Sequence, residues 1–229
     1  PFGGLQRSFV QIAEECQARG HSVRVFTPAW QGAVPDGLEV EEVKLRGLTN
    51  HRRRFSLAEI LADRVSQQPY DGVVGFSKMP GLDIYYGGDS CFAEFVHRRH
   101  PLYRLTSRCR AYLALESSVF ETRGQTHALL LSNREISLYR KYYGTSRERL
   151  HLLPPGIAPD RMASPESAAT GGRLRTELGI PPEHKILLMV GSGFRTKGLD
   201  RTLRAVAALP SSVRNQATLI FIGHDNFRP

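Results

Sequence analysis

The sequence lacks any apolar run of the roughly 18 to 20 residues that crosses a bilayer, and it has no charged and then apolar leader ending at a small-residue cleavage site. A membrane-spanning protein and a visible export signal are both excluded for the 229 residues at hand. Cysteine is scarce: Cys16, Cys91 and Cys109 are odd in number and widely spaced, which fits neither a disulfide framework nor a CxxC metal site. That usage points to a reducing cytoplasm. Acidic charge is also short, with 22 Asp and Glu against 31 Lys and Arg, a net charge of +9 that calls for an anionic partner. Nucleic acid, an anionic membrane, a nucleotide or a phosphorylated glycan all satisfy that charge. No RNA-reading aromatic strand or helix-turn-helix is present, so nucleic acid is not the expected partner, although a basic nucleic-acid-binding domain stays the reading from a different class. Also missing are the G-x-G-x-x-G fingerprint, the GK[ST] ending of a P-loop and any D-x-D metal motif.

What the chain does have is alternation. Leu5, Phe9, Ile12, Ala13 and Cys16 recur at helical spacing, and Gly20 follows as a stop, which predicts a helix over 5–19. Strands are predicted at 21–27, 38–45, 70–76, 82–88, 127–132 and 149–154, with helices at 55–67, along a basic stretch near 91–121, and at 133–143. Strands and helices in turn argue for a parallel α/β sheet covered on both faces. After "LPPGIAPDR" (153–161), the stretch "MASPESAATGG" (162–172) reads as a linker. Periodicity then restarts with a helix near 173–179, a strand at 185–193, a helix near 197–208 and a strand at 217–225. The expected organisation is a first Rossmann-like domain over 1–153 and a linker with the start of a second over 154–229. Both ends look truncated, because the strand that should feed "PFGGLQR" at Pro1–Arg7 is missing and the second unit stops after two strands.

Two loops carry chemistry. Gly3 and Gly4 stand before a helix, where unpaired N–H groups and the positive helix end suit a phosphate; a tight turn needing positive φ explains them equally well. In "VGSGFRTKGLDR" (190–201), the small residues Gly191, Ser192 and Gly193 follow an apolar strand, with Arg195 and Lys197 just beyond. That arrangement suits a diphosphate at the carboxyl end of a parallel strand, and a solvated lysine beside a loop is the plainer alternative.

The runs "PFGGLQR", "GFSKMPGLDIYYGGDSCF" (75–92), "LYRLTSRCRAY" (102–112), "LPPGI" (153–157) and "GSGFRTKGLDR" (191–201) together resemble the bacterial lipopolysaccharide core glucosyltransferase I group of the retaining GT-B glycosyltransferases. The matches run in order over nearly the whole chain, with Ser77 where the group commonly has Asn and Ser8 where it commonly has Asp. The resemblance implies two Rossmann-like domains facing across a cleft, the first for acceptor and the second for nucleotide-sugar. It implies transfer of glucose from UDP-glucose to a heptose of the lipopolysaccharide inner core with retention, and no metal or other cofactor. Another sugar or acceptor on the same fold is the nearest alternative. Gly3, Gly4, Ser192, Arg195 and Lys197 would then serve the donor diphosphate, and Lys197 would also neutralise charge growing on the departing UDP. Arg161 matches an arginine that relatives direct towards the nucleotide, and Thr196 stands where they commonly carry Arg. Asp89 lies where many relatives place a catalytic-site histidine, and is assigned to orient or deprotonate the acceptor hydroxyl; as a plain N-cap of the next helix it needs no such role. Asn50 and His51, followed by Arg52, Arg53 and Arg54, suit a phosphorylated acceptor or a solvated basic loop. The paired glutamates by which this family grips donor sugar and ribose are absent, so this stretch alone is expected to be inactive.

Finally, 97–120 is read as one amphipathic helix. Leu102, Leu105, Cys109, Leu113 and Phe120 share a side, with Arg98, Arg99, Arg104, Arg108 and Arg110 around it and Tyr103 and Tyr112 as interfacial aromatics. This favours the anionic inner face of the bacterial inner membrane, where a lipid-anchored acceptor would wait; a core helix with a solvated basic face is the alternative.

Overall fold

In the computed structural model, which describes residues 3–157 and 162–225, the opening apolar periodicity forms α1 (Gly4–Ala18). Its Ala13 is buried with Val25 and Leu38, and Phe9 and Trp30 pack around them. Gly20 has φ +88° and its N–H meets the Gln17 carbonyl at 2.8 Å. The missing Cβ lets the chain leave the helix there without strain. The chain continues through β1 (Arg24–Thr27) and β2 (Glu39–Glu42), a parallel pair with Val25 opposite Val40.

After α2 (Asn50–Gln67), four parallel strands line up in sequence order: β3 (Val74–Gly75), β4 (Ile84–Gly87), β5 (His127–Leu130) and β6 (Leu150–Leu152). The helices α3 (Phe92–His97), α4 (Ser107–Phe120) and α5 (Asn133–Tyr143) make the crossovers. Tyr85, Leu115, Phe120, Leu130, Tyr139 and Leu150 are sealed in the core, and Phe120 stacks on Tyr139 with ring centres 3.5 Å apart. Burial of each such side chain contributes about 1.5–3 kcal/mol. Arg149, itself buried, ties this core to the turn after α4 by donating to the carbonyls of Val119, Glu121 and Thr126. Between the edges of β1 and β3 lies a cavity of about 630 Å³, lined by Val25 and Phe26, Val74 and Gly75, and Phe9 and Leu61 from the flanking helices. Among the described residues no strand bridges those two edges.

Several boundaries differ from the sequence reading. The stretch 91–121 is not one helix: Pro101, which offers no N–H and disfavours helix at His100, starts a 3-10 turn (Pro101–Leu105) between α3 and α4. Thr106 then caps α4, its Oγ1 accepting from the Cys109 N–H at 3.1 Å. α2 begins at Asn50, not 55, so Arg52, Arg53 and Arg54 lie on a helix rather than in a basic loop. Half of the expected linker is helical, in α6 (Ser167–Glu177), although none of its residues is buried. Beyond it come β7 (Lys185–Val190), α7 (Phe194–Lys197), α8 (Leu199–Ala207), α9 (Ser211–Arg214) and β8 (Ala217–Ile222). β7 and β8 are parallel, with Lys185 opposite Ala217. α8 falls where a helix was expected near 197–208, and Gly198, at φ +83°, parts it from α7, which forms in a stretch read as loop. The chain separates into two compact units, Pro1–Gly156 and Ile157–Pro229, against the expected boundary after 153.

Candidate functional site

In an open parallel sheet, ligands meet the loops at the carboxyl ends of the strands, and in the first unit that edge is built around a buried charge. Glu116, wholly inaccessible near the middle of α4, accepts five hydrogen bonds. Lys78 Nζ donates to Oε2 at 2.5 Å and the Phe92 N–H at 2.7 Å. The Ala93 N–H and the Tyr143 hydroxyl each donate to Oε1 at 2.8 Å, and the Cys91 thiol stands 3.6 Å from it. Burial, reinforced by the Glu116 charge, pushes the Cys91 thiol up to about 12. The hydroxyls of Tyr85, Tyr139 and Tyr143 are likewise driven up, first by burial and then by neighbouring carboxylates. All of them remain neutral at physiological pH, and the buried Tyr85 hydroxyl has no hydrogen-bond partner among the described residues.

This cluster holds the segment after β4. Gly87 and Gly88 precede it: a Cβ on Gly87 would lie 2.6 Å from buried Leu130 Cδ2 and 3.0 Å from the Leu129 carbonyl oxygen, and one on Gly88 2.7 Å from Leu5 Cδ1. Asp89 and Ser90 follow, exposed. Asp89 is not the N-cap of α3; Cys91 occupies that position without a side-chain bond. The free N–H groups of the helix start are taken by carboxylates from elsewhere, Glu116 for Phe92 and Ala93 and Glu135 for Cys91 at 2.8 Å.

Gly3 and Gly4 come to the same edge, since Leu5 touches Gly88. Gly3 is the N-cap of α1 at φ −127° and ψ 163°, and neither glycine has positive φ, so the tight-turn alternative is set aside. No side chain caps this helix, and nothing lies within 4 Å of a Cβ built on Gly4. The Gln6 side chain folds back beside Gly3, its Oε1 2.3 Å from a Cβ built there, while the space over Gly4 is open to an anion. Arg54 of α2 also reaches this region: its charge and that of Asp89 act in opposite senses on the Tyr85 hydroxyl. Asn50 is exposed at the start of α2, and His51 Nε2 lies 3.3 Å from Thr49 Oγ1.

The basic stretch divides by element. On α4, Cys109, Ala111, Leu115, Val119 and Phe120 face the core, so the expected apolar side is core and not a free membrane face. The exposed apolar residues sit in the 3-10 turn, with Leu102 at 64% and Leu105 at 71% exposure, beside Phe95 and a half-buried Tyr103. Arg99 lies over the Phe95 ring at 4.5 Å, Arg108 over Tyr112 at 5.8 Å, and Arg98 pairs with Glu94. Arg104 and Arg110 are exposed.

In the second unit, the loop after β7 is shaped by β8. Gly191, Gly193 and Gly198 have φ +159°, +76° and +83°. The Lys197 stem lies along the loop, its Cγ 3.0 Å from a Cβ built on Gly191. Ser192 Oγ accepts from the His224 N–H at 3.3 Å, and Asp225 Oδ2 caps α7 through the Phe194 N–H at 2.7 Å. Arg195 and Lys197 are both exposed, and neither is in an ion pair among the described residues. Arg161 lies outside the described residues.

The sequence reading missed Lys78, Glu116, Glu135 and Asp225. Glu116 had a signal: it sits seven residues after Cys109 and four before Phe120, on the stripe that the periodicity assigns to the core.

A model of glycosyltransferase family 4 matches residues 2–161. The chain belongs to glycosyltransferase family 4. Family members resemble it over its full length: the lipopolysaccharide glucosyltransferase WaaG of Escherichia coli (strain K12) is 43% identical over 229 residues, covering 100% of this chain and 61% of that protein. A D-inositol 3-phosphate glycosyltransferase of Xylanimonas cellulosilytica is 25% identical, over 99% of this chain and 59% of its own. The crystal structure of WaaG, described as a glycosyltransferase involved in lipopolysaccharide biosynthesis, superposes with a TM-score of 0.89, covering 99% of this chain and 61% of that one. The Rossmann-like, parallel α/β units are thus those of a family of the GT-B type. This chain spans about three fifths of the length of the relatives it matches.

Proposed function

We propose that the protein is a UDP-glucose-dependent hexosyltransferase that adds glucose to a heptose of the lipopolysaccharide inner core with retention of configuration. The observation that carries this reading is the 43% identity with the E. coli glucosyltransferase along the whole chain. Chemistry supports it: the uncapped start of α1 offers backbone donors to a phosphate, and Lys197 and Arg195 offer cations without an acid beside them among the described residues. Fixed donors of this kind stabilise negative charge as UDP departs, so no metal is required of the mechanism. Asp89, exposed at the carboxyl end of β4, receives the acceptor hydroxyl as base or orienting group.

The exposed Leu102 and Leu105, with Arg99, Arg104 and Arg108 close by in sequence, dock on an anionic bilayer at the cytoplasmic face, where a lipid-linked acceptor is held. No helix among the described residues is long and apolar enough to cross a membrane.

The test is to supply the full-length protein with UDP-glucose and a deglucosylated core acceptor, with and without EDTA. Hexose on the acceptor, formed in step with UDP and unaffected by the chelator, is the expected result. UDP formed without acceptor-linked hexose would assign a different acceptor, and loss of transfer in EDTA would reject the metal-free scheme.

A further inference from the structure

Resting on the transferase reading above, we propose that Lys78 and Glu116 are positioning residues that lock the 89–93 main chain and so aim Asp89 at the acceptor. Five consecutive main-chain groups are held there by side chains from three other parts of the first unit. The Asp89 carbonyl has the Tyr139 hydroxyl at 3.5 Å, the longest of the set. The Ser90 carbonyl accepts from Lys78 Nζ at 2.8 Å. The Cys91 N–H donates to Glu135, and those of Phe92 and Ala93 to Glu116.

Core packing alone does not call for this arrangement. A buried ion pair is weak support for stability, because apolar residues of similar volume do as well or better. The Lys78 side chain is 10% exposed and Glu116 wholly buried, so both ions have lost most of their hydration. What the pair supplies instead is geometry. Lys78 uses one ammonium to bind both a carbonyl of the loop and the carboxylate that grips the following amides. The two side chains protruding from this clamped segment to solvent are Asp89 and Ser90. Departures from an apolar core cluster at functional sites, and a base misplaced by about 1 Å costs on the order of 100-fold in rate.

In full-length protein, Glu116→Gln keeps the shape but weakens the grip on the amides. We expect hydrogen exchange at Phe92 and Ala93 to quicken at least tenfold, and transfer to saturating acceptor to fall at least tenfold. Hydrolysis of UDP-glucose by water, which needs no aimed acceptor, should stay within twofold. Val119→Ala, a core truncation on the same helix, should lower both activities together, if at all. If Glu116→Gln does not fold, Lys78→Met is read by the same three measurements. Faster exchange with unchanged transfer, or transfer and hydrolysis falling in step, would overturn the proposal. A wild type that releases no UDP would instead defeat the transferase reading, and exchange in the variants would still decide whether the lock exists.

Discussion

Lys78 Nζ and Glu116 Oε2 lie 2.5 Å apart beneath the loop that follows β4, joining two residues 38 positions apart in sequence. Removing one partner leaves the other buried and unpaired, so Lys78→Met should cost about 3–5 kcal/mol. Adding Glu116→Gln to that variant removes the stranded charge while keeping an oxygen for the Phe92 and Ala93 amides, and should recover part of the loss. Urea unfolding midpoints of the two variants measure this. Losses that simply add would show that the two residues act independently.

The Cys91 thiol, raised by burial and by Glu116 to about 12, sets an alkaline limit. An unfolded cysteine titrates near about 8.5. A raised folded value means that the thiol proton stabilises the native state fully below that pH, and that this contribution is lost as pH climbs towards 12. Cys91→Ala should flatten the decline of stability between those limits. Iodoacetamide at neutral pH should label half-buried Cys16 first and Cys91 only on unfolding; early labelling of Cys91 would contradict the burial.

Lys197→Ala in the full-length protein should lower kcat about 100- to 1,000-fold, the usual consequence of deleting one donor to developing negative charge. Folding should be unaffected, because the ammonium is exposed and is in no ion pair among the described residues. Steady-state turnover together with a thermal melt tests both halves, and unchanged kcat would remove Lys197 from the chemistry.

Replacing Leu102 and Leu105 by Asp should abolish sedimentation of the full-length protein with anionic vesicles at low salt while leaving its melting temperature unchanged, because both side chains are already exposed. Equal binding to anionic and zwitterionic vesicles by the wild type would count against an electrostatic membrane contact.

The fold was legible where periodicity is strong. α1, α5 and the β4 and β5 strands fall where apolar spacing puts them, and the parallel alternation follows from it. The basic stretch was misread because helical spacing was carried across Pro101, so exposed Leu102 and Leu105 were placed on one face with buried Cys109 and Phe120. The loops were legible as glycine and cation patterns, since Gly3, Gly4 and Lys197 advertise themselves locally. Their supports were not: Glu116 reaches Phe92 and Ala93 from 24 and 23 positions away, and Asp225 reaches Phe194 from 31. Such partners are set by tertiary packing, which local pattern does not encode.

In the second unit, a Cβ at Gly223 would come within 2.0 Å of the Gly191 carbonyl oxygen. The contour of the Lys197 loop is therefore moulded by the tail of the neighbouring strand rather than by its own residues. A methyl group at 223 would press on the turn from behind, and Gly223→Ala should disturb donor handling while every side chain facing the solvent keeps its identity.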